Sequence, residues 1–468
     1  MGVLVQKSVQ EVLDDLVQPS NISVRSGEEL LGKVRATIAD DDKAKAEEDK
    51  EPLRRKPRLE VLARAEFDAH SAVVPWAVLH TLARATALSA KGAGRGLAEH
   101  WGALKYNQAL AGGPERFLRL TDEGQRIAEQ YKNLQSGELG VGFGLTVAEQ
   151  VLRRRFPAHS VTIVAADTAL RGGWALNSRD KGPNVRYRYR PHYFAEVWRP
   201  GERSLVVPIV CKGNHGNESS SIDQLVSASA HAEGVHLGEW NETPGLLLST
   251  ELALDGVVTV HVLQAVGRGG RLDRPRGERL PNLDTDPEPK NIFPGIQPPP
   301  DGDRVLPPVP GCQLTPEYYT WFQETLGRTD AAALMAFTGS GAGTAKYLTE
   351  RQGRKRFTDF AHAASNSVQD VRRLLQGRTY VGTDHVFRLN GPRVEAFSGL
   401  DVTLFDLLRD RKAEKYRALV HAERDTRPRL LWDEEWNGPL SVRADGSVLA
   451  LRVLPPGGEH DPTSVPGT

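Results

Sequence analysis

At 468 residues the chain exceeds what one ordinary hydrophobic core organises, so about two to four domains are expected. Apolar residues make up 39% and charged residues 26%, a globular composition with room for linker, and no apolar run approaches the roughly eighteen residues of a membrane helix. Formal net charge is zero, so any nucleic-acid binding has to come from local basic patches, and two cysteines, Cys211 and Cys312, exclude a disulfide framework or a cysteine-based zinc site.

The amphipathic, acidic start MGVLVQKSVQEVLDDL reads as neither a secretory signal nor a transit peptide, which favours a cytoplasmic protein with no membrane partner. Residues 1–37 read as helices, with Val5, Val9, Val12, Leu13 and Leu16 at helical spacing. The run 40–58 passes from acidic to basic and contains two prolines, as a solvated linker or helix extension does. Residues 1–57 thus form a first unit of helices and charged linker, and a helical unit follows over 58–139. Near the end of the latter, RFLRLTDEGQRIAEQY reads as a short strand Phe117–Leu120, a turn and an amphipathic helix. This stretch resembles the wing and last helix of winged-helix DNA-binding domains; a plain helical domain with one hairpin is the alternative.

The region 140–269 carries the chemistry. The helix LTVAEQVLRRRF aligns Leu145, Glu149, Leu152 and Phe156 on one stripe, and a glutamate on an apolar stripe requires compensation. A β-branched strand ending at Asp167 follows, then RYRYRPHYFAEVW interrupted by Pro191, then SLVVPIVCKG ending at Lys212. A helix, SIDQLVSASAHAEGV, and two further strands complete the series.

This succession resembles the PD-(D/E)XK, or restriction-endonuclease-like, nuclease superfamily. In that family an Asp after a proline, an acid two positions before a lysine, and often a glutamate from the first helix hold Mg²⁺ against the scissile phosphate. The acid and the lysine are two apart because alternate side chains of a strand share a face. Transferred onto this chain, Lys212 matches the lysine, while Glu149 and Asp167 correspond to the helix and first-strand acids. His192 stands where the Asp belongs and Val210 where the second acid belongs, so two expected ligands are missing. Glu196, which shares a strand face with His192, Phe194 and Trp198, is the displaced carboxylate available to replace them. The resemblance therefore implies a catalytic set of Lys212, Glu196 and His192 and a metal set of Glu149, Asp167 and Glu196. Mg²⁺ is the cofactor if the core is active, and there is none otherwise.

Arg186, Arg188 and Arg190 fall on one face of the RYRYR strand and, with Arg153, Arg154 and Arg155, make a phosphate track; a solvated edge strand explains them equally. His192, His215, His231, His236 and His261 show no zinc-motif spacing. The stretch TGSGAGTAK at 338–346 lacks the G-x4-G-K phosphate-loop pattern, and KGNHGNESS is a polar loop leading to a helix capped by Ser221.

Residues 270–312 hold about a third of the prolines and read as a linker able to bind protein partners. Residues 313–379 read as helices, including SVQDVRRLL, and 380–453 as mixed strands and helices, so that 313–455 forms an α+β domain. The Pro/Gly-rich tail 456–468 reads as disordered. The expected class is α/β plus α+β, with a restriction-endonuclease-like core between a helical N-terminal region and a mixed C-terminal domain. The functional expectation is a DNA-associated restriction or defence-type protein with a degenerate nuclease core, acting in binding, sensing or assembly. A divergent Mg²⁺-dependent endonuclease and a protein-interaction adaptor are the alternatives.

Overall fold

The computed structural model describes residues 7–89, 98–112, 116–174, 189–238, 242–254, 256–273, 283, 295–358, 371–427 and 431–455. In chain order the elements are α1 (Val9–Val17), β1 (Ser20–Arg25), α2 (Glu28–Glu47), β2 (Leu59–Glu60), β3 (His70–Val73), α3 (Pro75–Thr86), β4 (Leu110–Gly112), β5 (Leu118–Leu120), α4 (Asp122–Gln125) and α5 (Glu129–Arg155). There follow β6 (Ser160–Ala165), α6 (Ala166–Arg171), β7 (Tyr193–Trp198), β8 (Leu205–Asn214), α7 (Glu218–Glu233), β9 (Val235–Leu237), β10 (Gly245–Glu251), β11 (Thr259–Ala265) and β12 (Cys312–Leu314). The C-terminal part holds α8 (Tyr319–Phe337), α9 (Gly341–Ala345), α10 (Lys355–Thr358), β13 (Val371–Leu375), β14 (Arg378–Arg388), β15 (Arg393–Asp401), α11 (Val402–Arg409), α12 (Ala413–Glu423), β16 (Trp432–Asp433), β17 (Gly438–Val442) and β18 (Ser447–Val453).

The molecule is a mixed α/β protein built on two main sheets. The larger has eight strands in the order β3-β1-β11-β10-β8-β7-β6, with β2 also paired to β11. Strands β6, β7 and β8 form an antiparallel meander, β10 runs parallel to β8, and β11 returns antiparallel to β10. The parallel step requires a crossover, and α7 supplies it. Strand β8 is buried on both faces, as its unbroken apolar run LVVPIVC implies. Cys211, Leu246 and Leu248 face one apolar cluster with α5, whereas Val210, Leu225, Leu247 and Leu263 face another with α7. The second sheet is antiparallel, in the order β13-β14-β15-β18-β17-β16.

Several expected elements differ. Residues 1–37 are not purely helical: β1 lies between α1 and α2 and pairs in parallel with β11, so the N-terminal region extends the central sheet. The charged run is partly a helix extension, since α2 reaches Glu47. The hairpin expected at Phe117–Leu120 forms from β4 and β5, but the helix behind it is α5. That helix runs through the boundary placed between 139 and 140, so no separate winged-helix unit stands there. The helix expected at SVQDVRRLL is in part strand β13, whose register against β14 is fixed by the Gln376-Gly377 turn, both residues at positive φ. Among the described residues no helix is long and apolar enough to cross a membrane.

Candidate functional site

Close approach of α5 to β8 fixes the site. A Cβ on Gly140 would lie 2.7 Å from the Lys212 carbonyl oxygen, and one on Gly213 would lie 2.0 Å from that of Ser136. Glycine at both places lets the helix backbone rest directly on the strand where it delivers Lys212. Alternation along β8 turns Val210 toward α7, and Lys212, two positions on, shares that face. On the neighbouring strand the His192 amide donates to the Ile209 carbonyl at 3.0 Å, which sets His192 beside Val210. The His192 carbonyl accepts from the Ala166 amide at 2.9 Å, which brings the first turn of α6, and with it Asp167, to the same place.

Asp167, Arg190, His192 and Lys212 therefore lie together. The structure adds His231 from α7, whose ring lies 5.5 Å from that of His192 and whose Nδ1 pairs with the Arg190 carbonyl at 3.0 Å. Arg190 grips Asp167 with two donors, one at 2.6 Å, so this carboxylate is already engaged. Burial pushes the His192 imidazole down to about 4, helped by the adjacent His231 and Lys212. Burial likewise lowers His231 and Lys212. Both histidines are neutral near pH 7. Among the described residues the Lys212 ammonium has no hydrogen-bond or ion-pair partner, although the residue is only partly exposed.

The other expected site residues lie elsewhere. Glu196 pairs in register with Val206, six residues before Lys212, or about 20 Å along the strand. Its buried carboxylate accepts two bonds from Arg417 of α12 at 3.0 and 2.9 Å and one from Ser204 at 2.5 Å. A displaced metal ligand it is not. Glu149 is nine residues beyond Gly140 on α5, about 13 Å along the axis. It accepts from Arg443 at 2.6 Å and pairs with Arg153 at 2.7 Å. Burial would raise its pKa, but the two guanidiniums outweigh that and hold it low.

Arg154 pairs with Asp68, and Arg155 with Glu66 at 2.7 Å, so these side chains tie α5 to the N-terminal segment rather than standing free for phosphate. Arg186 and Arg188 lie outside the described residues. The cap of α7 is Asn217, whose side chain accepts from the Ser219 and Ser220 amides; Ser221 instead accepts from Asn214 at 3.0 Å.

Sequence reasoning passed over Glu138, the helix acid nearest this end of β8, which contributes after burial and Cys211 to raising the Tyr193 phenol pKa. Gly140 and Gly144, four apart, mark the stripe of α5 that touches the strand, and they were the available signal for a nearby acid. Glu138 accepts from the Tyr106 hydroxyl at 2.7 Å and pairs with Lys105 at 2.6 Å, so it too is engaged.

A Mg²⁺ site needs converging oxygen donors. Here position 210 is aliphatic, position 192 a neutral imidazole, and Asp167 is held by Arg190. Among the described residues no three histidine, cysteine or acidic side chains are grouped to hold a metal. The residues present do not fit the ion. What they fit is an anion, held by the one unpaired ammonium, since the neutral His231 ring gives its single N–H to the Arg190 carbonyl. Neither a protein-family model, nor a curated protein, nor a solved structure matches this chain.

Proposed function

We propose that the protein is a DNA-associated binding or sensing subunit of restriction or defence type, whose central region is a degenerate PD-(D/E)XK-like core that holds a backbone phosphate without cleaving it. The fold part of this reading is supported by the order helix, three-strand meander, helix, parallel strand, and by the position of His192, just before β7, beside Val210 and Lys212 of β8. The functional part is carried by one observation, the half-buried Lys212 without a carboxylate partner among the described residues. Taking an ammonium out of water is costly unless something compensates it, and a phosphate oxygen is the complement this fold suggests. Arg190, charge-balanced by Asp167, adds a further guanidinium edge.

The test is binding of the full chain to duplex DNA across a salt series. Affinity should fall steeply with salt, and Lys212→Ala should weaken it roughly tenfold and reduce the salt slope by about one. Unchanged binding by Lys212→Ala, or Mg²⁺-dependent cutting of plasmid by the wild-type protein, would overturn the reading.

A further inference from the structure

Two imidazoles flank the Lys212 ammonium, and their hydrogen bonds leave each with a lone pair to spare. The His231 Nδ1 pairs with the Arg190 carbonyl at 3.0 Å, so in the neutral ring that nitrogen carries the hydrogen and Nε2 the lone pair. Among the described residues Nε2 has no partner, and it is open to solvent rather than buried. The His192 ring has the Cys211 carbonyl as its own main-chain acceptor, and its centroid lies 5.5 Å from that of His231. Both residues are partly exposed, as is Lys212.

The charges around the two rings are one-sided. His192 faces His231 of α7, Lys212 of β8 and Asp167 of α6, while His231 faces His192, Lys212, Arg190 and the edge of the Tyr189 ring. Asp167 is the one carboxylate in this group, and Arg190 already holds it with two donors. Protonating either ring beside the ammonium brings like charges together with no free anion between them, which keeps both rings neutral. A bound phosphate reverses the balance. Its negative charge offsets the repulsion, and a proton added at His231 Nε2 turns a lone pair that repels phosphate oxygens into a charged donor.

Resting on the reading of Lys212 as a phosphate contact, we propose that His231 and His192 are proton-coupled ligands of the same backbone phosphate, so that the site takes up a proton as it takes up the anion. Linkage gives the sign of the resulting pH dependence. In the free chain both rings lie below the ordinary 6.5, His192 at about 4, and a neighbouring anion raises them. Affinity therefore rises as pH falls from the raised, bound-state value toward the free-state one, by up to about tenfold per pH unit for each proton taken up. The phosphodiester keeps its single charge throughout, so the titrating groups belong to the protein.

The test is anisotropy titration of a short DNA duplex with the full chain at fixed low salt, from pH 7.5 to pH 5.5. Calorimetric titration at pH 6 in buffers of different ionisation enthalpy counts the protons, and needs no variant. Wild-type affinity should rise about tenfold across the range, with roughly half a proton or more taken up per duplex bound. His231→Gln, whose amide can still donate to the Arg190 carbonyl, should cut the rise to about threefold or less, and adding His192→Gln should flatten it. Lys212-dependent binding of constant strength across the range, with no proton uptake, overturns this inference and leaves the reading of Lys212 standing. A rise that survives in the double variant overturns it too, by assigning the protons to other groups of the chain. Binding that ignores Lys212→Ala overturns both.

Discussion

His192 shows what a single residue does to the chemistry of this core. An aspartate there would bring a fixed negative charge beside Lys212; an imidazole brings a group whose charge depends on pH. Its folded pKa, about 4, lies below the ordinary 6.5 because it is buried and faces His231 of α7 and Lys212 of β8, with Asp167 opposing. The unfolded chain therefore binds the extra proton first as pH falls. Stability tied to the neutral ring is present above about 6.5 and is lost between there and about 4. His192→Gln should abolish that loss, of order 2 kcal/mol. Urea denaturation at pH 7 and pH 4.5 should show a smaller pH difference in the variant than in the wild type. The lowered histidines His80 and His236, away from this contact, titrate in the same sense in both proteins and cancel in the comparison. Equal pH differences would mean that the His192 pKa is the same in the folded and unfolded chain, and that burial does not hold the ring neutral.

Between elements, the strongest tie near the meander is the one from Glu196 on β7 to Arg417 on α12. Arg417 also lies over the Trp198 ring at 3.9 Å, so one guanidinium closes the end of β7 with a charge pair and a ring contact. Removing one partner of a buried pair leaves the other uncompensated, at roughly 3–5 kcal/mol. Glu196→Gln should therefore lower stability by about 3 kcal/mol in chemical denaturation while leaving DNA affinity unchanged; intact stability with lost binding would return Glu196 to the site. This residue also shows where sequence legibility ends. Alternation along β7 and β8 places His192, Val210 and Lys212 on one face, because a two-residue period is local, and the convergence of Asp167 with them follows from strand order. The partner of Glu196 is 221 positions away on a helix of the C-terminal part, and no local pattern encodes that pairing. Glu149 misled for the same reason. An acid on an apolar stripe signals a compensating partner, but it does not say that the partner is Arg443 rather than a metal.

Across the whole molecule, one apolar cluster runs from Leu13 and Val24 through Trp76, Phe143 and Ile209 to Phe337, Leu400 and Leu451. It joins stretches that composition divides into separate units, because a proline-rich segment marks a break in the chain and not a break in packing. Buried polar contacts follow the same route. The Trp76 indole donates to the Leu449 carbonyl at 2.9 Å, and His100 meets Ser398 at 2.9 Å. The sequence reading of 270–312 as a linker implies that cutting there releases an independent C-terminal domain. The packing implies otherwise. Residues on both sides of the cut contribute to a shared core, and exposing it costs about 25 cal/mol for each Å² of apolar surface returned to water. A protease site engineered between residues 284 and 290 should therefore give two bands on a denaturing gel and a single species of full size on native gel filtration. Arg443→Ala, which removes the Glu149 and Thr81 contacts, should loosen the joint without dividing it, because the apolar cluster remains. Separation of the two pieces in native buffer would show that the C-terminal region is a domain in its own right.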